Sequence, residues 1–203
     1  MARIGMRHLV WAPITTETAG AAIVYGTGVK LGRAVSGNLS WERNDNPLYG
    51  DDVIAENDNG ATGYTLTVGM TELVESAAAT VLGHTVVEAT TGQNATPATY
   101  EETDASAPYG GCGYVQVLKR NGVTKYKAIW YHKVQFAVTS EESQTKGQSI
   151  EWGTPEMEGT GFGVYNDASG KAKFRISSVF DTGAAAEAWL DGKANISSSS
   201  GGT

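Results

Sequence analysis

Hydrophobic and polar positions alternate most clearly between residues 113 and 136. Gly113-Tyr-Val-Gln-Val-Leu-Lys-Arg120 and Val123-Thr-Lys-Tyr-Lys-Ala-Ile-Trp-Tyr-His-Lys-Val-Gln-Phe136 flank the pair Asn121-Gly122. Asn-Gly supplies the two positive φ angles of a type I′ turn, whose twist matches the strands it joins. The pattern predicts a long, half-buried antiparallel ribbon. Tyr126, Ala128, Trp130, Val134 and Phe136 share one parity and are expected on one buried face, with Lys125, Lys127, Lys133 and Gln135 on the other.

Elsewhere the pattern is shorter. Residues 6–14 alternate weakly and predict a first strand, with His8, Val10 and Ala12 on one side. The segment from Ala21 to Val35, broken by Gly26, Gly28 and Gly32, predicts a turn or short strands, and Ala34 to Glu42 a further strand. Tyr64, Leu66, Val68 and Met70 alternate with Thr65, Thr67 and Gly69 in another. Thr71 is the expected N-cap of one helix. That helix carries Glu72 and Glu75 in its first turn and an apolar stripe of Leu73, Ala77 and Val81 beside Val74, Ala78 and Leu82. Gly83 sits where a C-terminal glycine ends it, next to His84. Thr145-Lys-Gly147 predicts a turn. Ser149 to Trp152, Met157 to Val164 and Lys171 to Phe180 predict strands, and Asp181 a cap for a short helix from Ala184 to Leu190.

Two stretches lack this order. Residues 42–63 are almost all Asp, Asn, Glu and Gly, interrupted by Pro47-Leu48-Tyr49 and Val53-Ile54, which predicts a long functional loop with an apolar tip. Thr90 to Pro108 is poor in large apolar residues and reads as an exposed excursion. Ile196, four serines, two glycines and Thr203 have the composition of a flexible tail, so the expected organisation is one domain over 1–195 and a tail over 196–203.

Composition narrows the function classes. Of 203 residues, 40% are apolar and 18% charged, with 26 glycines, a mixture suited to β-structure with many turns. The net charge of −7 argues against a phosphate-gripping basic surface. One cysteine, Cys112, excludes a disulfide framework and a cysteine-based metal cluster. No apolar run approaches the ~20 residues of a membrane span, and Met-Ala-Arg-Ile-Gly-Met-Arg-His at the start lacks the apolar stretch of a secretion signal. The expectation is a soluble, unsecreted, acidic protein with no membrane partner.

Candidate chemistry is sparse. Asp51, Asp52, Glu56 and Asp58 cluster as calcium ligands do, but Ala55 stands where the calcium-loop template needs an acid five positions before Gly60. A solvated or partner-facing acidic loop fits better. His8, His84 and His132 have no helical pairing, whereas zinc needs convergent ligands. Cys112 among Gly110, Gly111 and Gly113 reads as a structural thiol. The spacings Gly26-Thr-Gly28 and Gly159-Thr-Gly-Phe-Gly163 lack the lysine and serine or threonine of a phosphate loop, and read as turns and bulges. Neither a nucleophile relay nor an acid–base pair is visible, and no enzyme, metal or cofactor is expected.

The landmarks, in order, resemble the major tail protein (tail tube protein) family of bacteriophages with long non-contractile tails. The resemblance rests on Ala2-Arg-Ile-Gly5; Leu48-Tyr-Gly-Asp-Asp52 with Glu56; Tyr64 to Met70 leading to Leu82-Gly-His84; and Asn121-Gly-Val123 with Tyr126 to Tyr131 and Lys133-Val-Gln-Phe136. Thr145-Lys-Gly147, Ser149-Ile-Glu151, Thr154-Pro155 and Glu158-Gly159 follow. Together they span residues 2 to about 165.

The resemblance implies a mainly β fold with one flanking α-helix, a β-sandwich or partly closed barrel of the tail-tube type. It implies a structural virion protein, assembled in the host cytoplasm, whose copies form hexameric rings that stack into the conduit for DNA ejection. Implied partners are itself, the tape measure protein in the lumen before ejection, and the tail terminator and distal tail proteins. Viral DNA passes through without specific binding. Within that reading Pro47, Leu48, Tyr49, Asp51, Asp52, Val53, Ile54 and Glu56 are the expected contacts between subunits and rings. Two other readings compete: a terminator or connector ring of the same fold, and a carbohydrate- or cell-surface-binding β-sandwich using Trp41, Tyr49 or Trp152 as stacking platforms.

Overall fold

The structure, a computed structural model, describes residues 2–51, 53–91, 95–140, 154–165 and 167–197. In chain order the elements are β1 (Ala2–Thr16), β2 (Val24–Tyr25), β3 (Val29–Lys30), β4 (Ala34–Arg43), β5 (Asn46–Gly50), β6 (Val53–Asp58) and β7 (Ala61–Met70). Then come α1 (Glu75–Leu82), β8 (Thr85–Val87), β9 (Thr99–Glu101), β10 (Gly110–Arg120) and β11 (Val123–Ser140). β12 (Glu156–Phe162), β13 (Arg175–Phe180) and α2 (Gly183–Lys193) complete the chain.

The Asn121-Gly122 turn forms as the side chains dictate, with φ of 50° and 80°, and closes the ladder at Arg120 and Val123. From this hairpin the main sheet grows in the order β2-β1-β10-β11-β12-β7-β4, antiparallel throughout, with β3 added to β1 and β13 to β11. β11 serves two neighbours in turn. Tyr126–Tyr131 pair with β13, and Val134–Ser140 pair with β12. The sheet curls until β4 lies against β1 without a ladder between them; a Cβ at Gly37 would sit 2.7 Å from the Met6 sulfur.

The curl makes an inside and an outside, and each has its own core. Inside, Leu9, Trp11, Tyr64, Leu66, Ile129, Tyr131, Val134 and Phe136 pack together beneath Ala77 and Val81 of α1. Outside, Val10, Ala12, Val115, Ala128 and Trp130 are covered by Ala186 and Leu190 of α2. The expected single buried face of the ribbon is therefore corrected. Three residues of β11 span the two of β10 between the Cys112–Tyr131 and Gly110–Val134 pairs, and this bulge at His132-Lys133 inverts parity. Trp130 faces α2, whereas Val134 and Phe136 face the inner core. A matching bulge at His8-Leu9, with His8 at φ 57°, inverts β1 alongside.

Other expectations change too. Among the described residues two helices flank the sheet, as the residue pattern predicts and not one as the resemblance implies, because the outer apolar face needs a cover as much as the inner one does. Thr71 is not the cap of α1: the helix starts after Val74, which makes no side-chain cap bond, and ends at Gly83 with φ 79°. Thr182, not Asp181, caps α2 by accepting from the Ala185 N–H at 3.3 Å. The glycines at 159 and 161 are not turns but inward positions of β12, where aromatic rings lie on the backbone. A Cβ on Gly161 would fall 1.9 Å from the Tyr64 ring, and one on Gly110 2.2 Å from Trp11. The predicted turn at 145–147 and strand at 149–152 lie outside the described residues.

Candidate assembly surface

The acidic segment read as a loop is a two-stranded ribbon. The β4–β7 ladder runs to Arg43–Ala61, passes through an Asn44 N–H to Gly60 O bond of 2.9 Å, and continues as β5–β6 from Asn46–Asp58 to Gly50–Val53. Asparagine and aspartate fasten its root. Asn44 Nδ2 donates to Asp58 at 3.4 Å, Asn57 Nδ2 to Asp45 at 3.2 Å, and the Gly60 N–H to Asp58 at 3.1 Å. At about 3.3 Å per residue, the ribbon carries Asp51 about 25 Å beyond Arg43.

Asp51 turns the tip at φ 49°, and Asp52 lies outside the described residues. Tyr49 and Ile54 stand opposite each other on one face; Leu48 stands opposite Glu56 on the other. Leu48, Tyr49, Val53 and Ile54 are exposed by 63%, 64%, 63% and 57%, while Pro47 at the root is half-buried. Asp51 and Glu56 are exposed beside them. The structure thus brings seven of the eight expected contact residues onto one projecting ribbon. An isolated hairpin is marginal in water, and four large apolar side chains on one are a cost unless something covers them.

A second surface lies on the outer side of β4, β7 and β12, which no helix covers among the described residues. Its outward positions include Ser36, Asn38, Ser40 and Glu42, then Thr65 and Thr67, then Glu156, Glu158 and Thr160. No lysine or arginine occupies an outward position on these three strands. Ser36 donates to Glu156 at 3.3 Å and Thr65 to Glu42 at 3.5 Å, so the hydroxyls tie the carboxylates down. The result is an acidic, hydroxyl-rich sheet face. The outer edge of β4 beside it pairs with no other strand among the described residues.

The remaining candidate groups separate in space. His8 Nε2 bonds Asp191 at 2.8 Å, and with Arg7 on Glu187 and Lys30 Nζ on Asp191 at 3.4 Å it ties β1 and β3 to α2. This network went unread in the sequence, because its members are 183 residues apart. His84 ends α1 through its backbone N–H, which donates to Ala79 O at 3.1 Å. His84 also lines a cleft of about 440 Å³ with Glu102, Gln135 and Glu158. His132, on the β11 bulge, has its pKa pushed down to about 4, by burial first and then by Lys193 and Lys173. Burial pushes the Cys112 thiol far up. Trp41 is no free platform: it packs edge-on to Tyr64 and Phe174 with ring centroids at 5.8 and 5.4 Å, and Arg175 covers its ring at 5.4 Å. Trp152 lies outside the described residues, and Tyr49 is exposed on the ribbon.

No family model and no curated protein sequence matches the chain.

Proposed function

We propose that this protein is a structural subunit of a phage-type tail tube, self-assembling into stacked hexameric rings around a channel that passes DNA. The observation that carries the reading is the β5–β6 ribbon, a rooted projection of about 25 Å with apolar side chains on both faces and nothing among the described residues to cover them. In a stacked assembly that ribbon meets an adjoining subunit. The edge of β4, unpaired among the described residues, is a second open valence. A head-to-tail contact that closes into a ring covers such an edge with the next copy.

The acidic face suits the lumen. Glu42, Glu156 and Glu158, held among serine and threonine hydroxyls, repel a polyanion along its whole length and offer it no cation to grip. Tape measure protein before ejection, DNA during it, and terminator and distal proteins at the two tube ends are the partners of this reading. The host cytoplasm is where assembly occurs. A terminator ring, the nearest alternative, would form single rings and never extend. Deleting Leu48 to Ile54 should leave a folded chain that no longer grows tubes. Tubes of normal length from that deletion would remove the ribbon from the account.

A further inference from the structure

The inner face of the sheet carries a cationic group that no carboxylate among the described residues neutralises. Beyond the core, Arg3 of β1, Lys127 of β11 and Arg175 of β13 occupy inward register positions. Arg3 stands opposite Leu118, Lys127 opposite Gln116 and Val179, and Arg175 opposite Tyr131. Among the described residues none of the three pairs with a carboxylate, although Arg7, Lys30, Lys125, Lys133 and Lys173 all do. Lys127 is held below the ordinary lysine range by burial and by the positive charge of Arg175 and Arg3. Three like charges crowded together in a chain of net −7 are an unmet electrostatic demand. Val179, exposed by 54%, adds an apolar spot, and β13 has an unpaired outer edge among the described residues.

The complementary surface is on the same chain. Residues 44–58 contain Asp45, Asp51, Asp52, Glu56 and Asp58 and no lysine or arginine. Asp45 and Asp58 are engaged at the ribbon root, while Asp51 and Glu56 form no ion pair among the described residues. The ribbon cannot satisfy its own basic face. Arg175 lies over Trp41, two residues before Arg43, whereas the tip is about 25 Å further along the strand direction.

We infer that the acidic tip of one copy docks on the Arg3–Lys127–Arg175 face of another, with Asp51 and Glu56 against the cations and the ribbon's apolar side chains against Val179. From the proposed assembly this inference takes only the premise that copies of this chain associate. It supplies the acceptor surface that the projecting ribbon requires, and the contact is head-to-tail, as ring closure needs. Duplex DNA is the rival occupant. Three cations on a strongly acidic chain suit a short acidic segment better than a continuous polyphosphate.

Charge reversal tests it, with self-association followed by sedimentation and assemblies viewed by electron microscopy. Lys127→Glu with Arg175→Glu, and separately Asp51→Lys with Glu56→Lys, should each weaken self-association about tenfold or more, and the four changes together in one chain should restore it. Arg3→Glu with Lys127→Glu repeats the first arm without touching the Trp41 contact, should Arg175→Glu unfold the chain. Wild-type association should also weaken between about 0.05 and about 0.5 M salt. Wild-type assembly that both reversals leave unchanged overturns this docking and leaves the tube reading intact. Association that obeys the charge swap but yields only open chains supports the docking and overturns the tube reading. A chain that stays monomeric when concentrated overturns both. DNA binding that the Lys127 and Arg175 reversals abolish, with self-association untouched, assigns the face to nucleic acid and overturns the docking.

Discussion

A single methyl group on Gly161 tests the packing of the inner core. Its Cβ would lie 1.9 Å from Tyr64 Cζ, where ordinary contact begins near 3.4 Å, so the ring must retreat by roughly 1.5 Å. It has nowhere to go. Tyr64 is fully buried, flanked by Tyr131 at 5.3 Å and Trp41 at 5.8 Å, and its hydroxyl donates to Lys133 O at 3.0 Å. Overpacking costs about 1–3 kcal/mol, and losing the buried hydroxyl's bond about 1–3 more. The unfolded-state gain of Gly→Ala offsets about 0.5–1 of this, leaving a net destabilisation of about 1–5 kcal/mol for Gly161→Ala. Urea denaturation followed by tryptophan fluorescence should show the midpoint falling by about 0.5–2.5 M, for an m of about 2 kcal/mol/M. Tyr64→Leu in the same chain should make the alanine cheaper than it is alone, since the two positions share one space. A Gly161→Ala chain within about 0.5 kcal/mol of the parent would refute the ring-on-backbone packing.

Gly192 is the contrasting site: it lies in α2 with nothing within 4 Å of its would-be Cβ, so Gly192→Ala should stabilise by about 0.5–1 kcal/mol, read as a higher urea midpoint. Leu190→Ala empties the outer core under α2 and should cost about 2–5 kcal/mol; a loss below about 1 would mean that α2 does not hold the sheet's outer face. His132 has a folded pKa near 4 against an ordinary 6.5, so the unfolded chain takes up its proton first as pH falls. Stability from this group is complete above about pH 6.5 and declines towards pH 4, and His132→Gln should flatten that part of the stability–pH curve. Replacing Leu48, Tyr49, Val53 and Ile54 by serine should leave the urea midpoint nearly unchanged, because these groups touch little in their own chain, while abolishing assembly.

Much of the fold was legible where a local rule has no rival. Asn121-Gly122 admits one tight turn, and the alternation of Tyr64 to Met70 admits one buried face. Parity failed beyond Trp130 because a bulge is a property of two strands together: nothing in His132-Lys133 signals that β10 passes two residues while β11 passes three. The ribbon at 46–58 was hidden because a strand exposed on both faces has no apolar alternation to read, although its Leu48-Tyr49 and Val53-Ile54 anchors were plain. The inward glycines of β12 are not legible in the sequence, because a glycine under a ring and a glycine in a turn look alike in one dimension. Local pattern shows the basic face only as alternating lysines. Arg3 and Arg175 join Lys127 through pairings of β1 with β10 and of β13 with β11, which local pattern does not encode.

The proposed assembly requires copies of this chain to complete one another. Negative-stain electron microscopy of the purified, concentrated protein reads that directly. Rings with an open centre, stacking into tubes, are the predicted image; uniform small particles at every concentration and salt tried would contradict it.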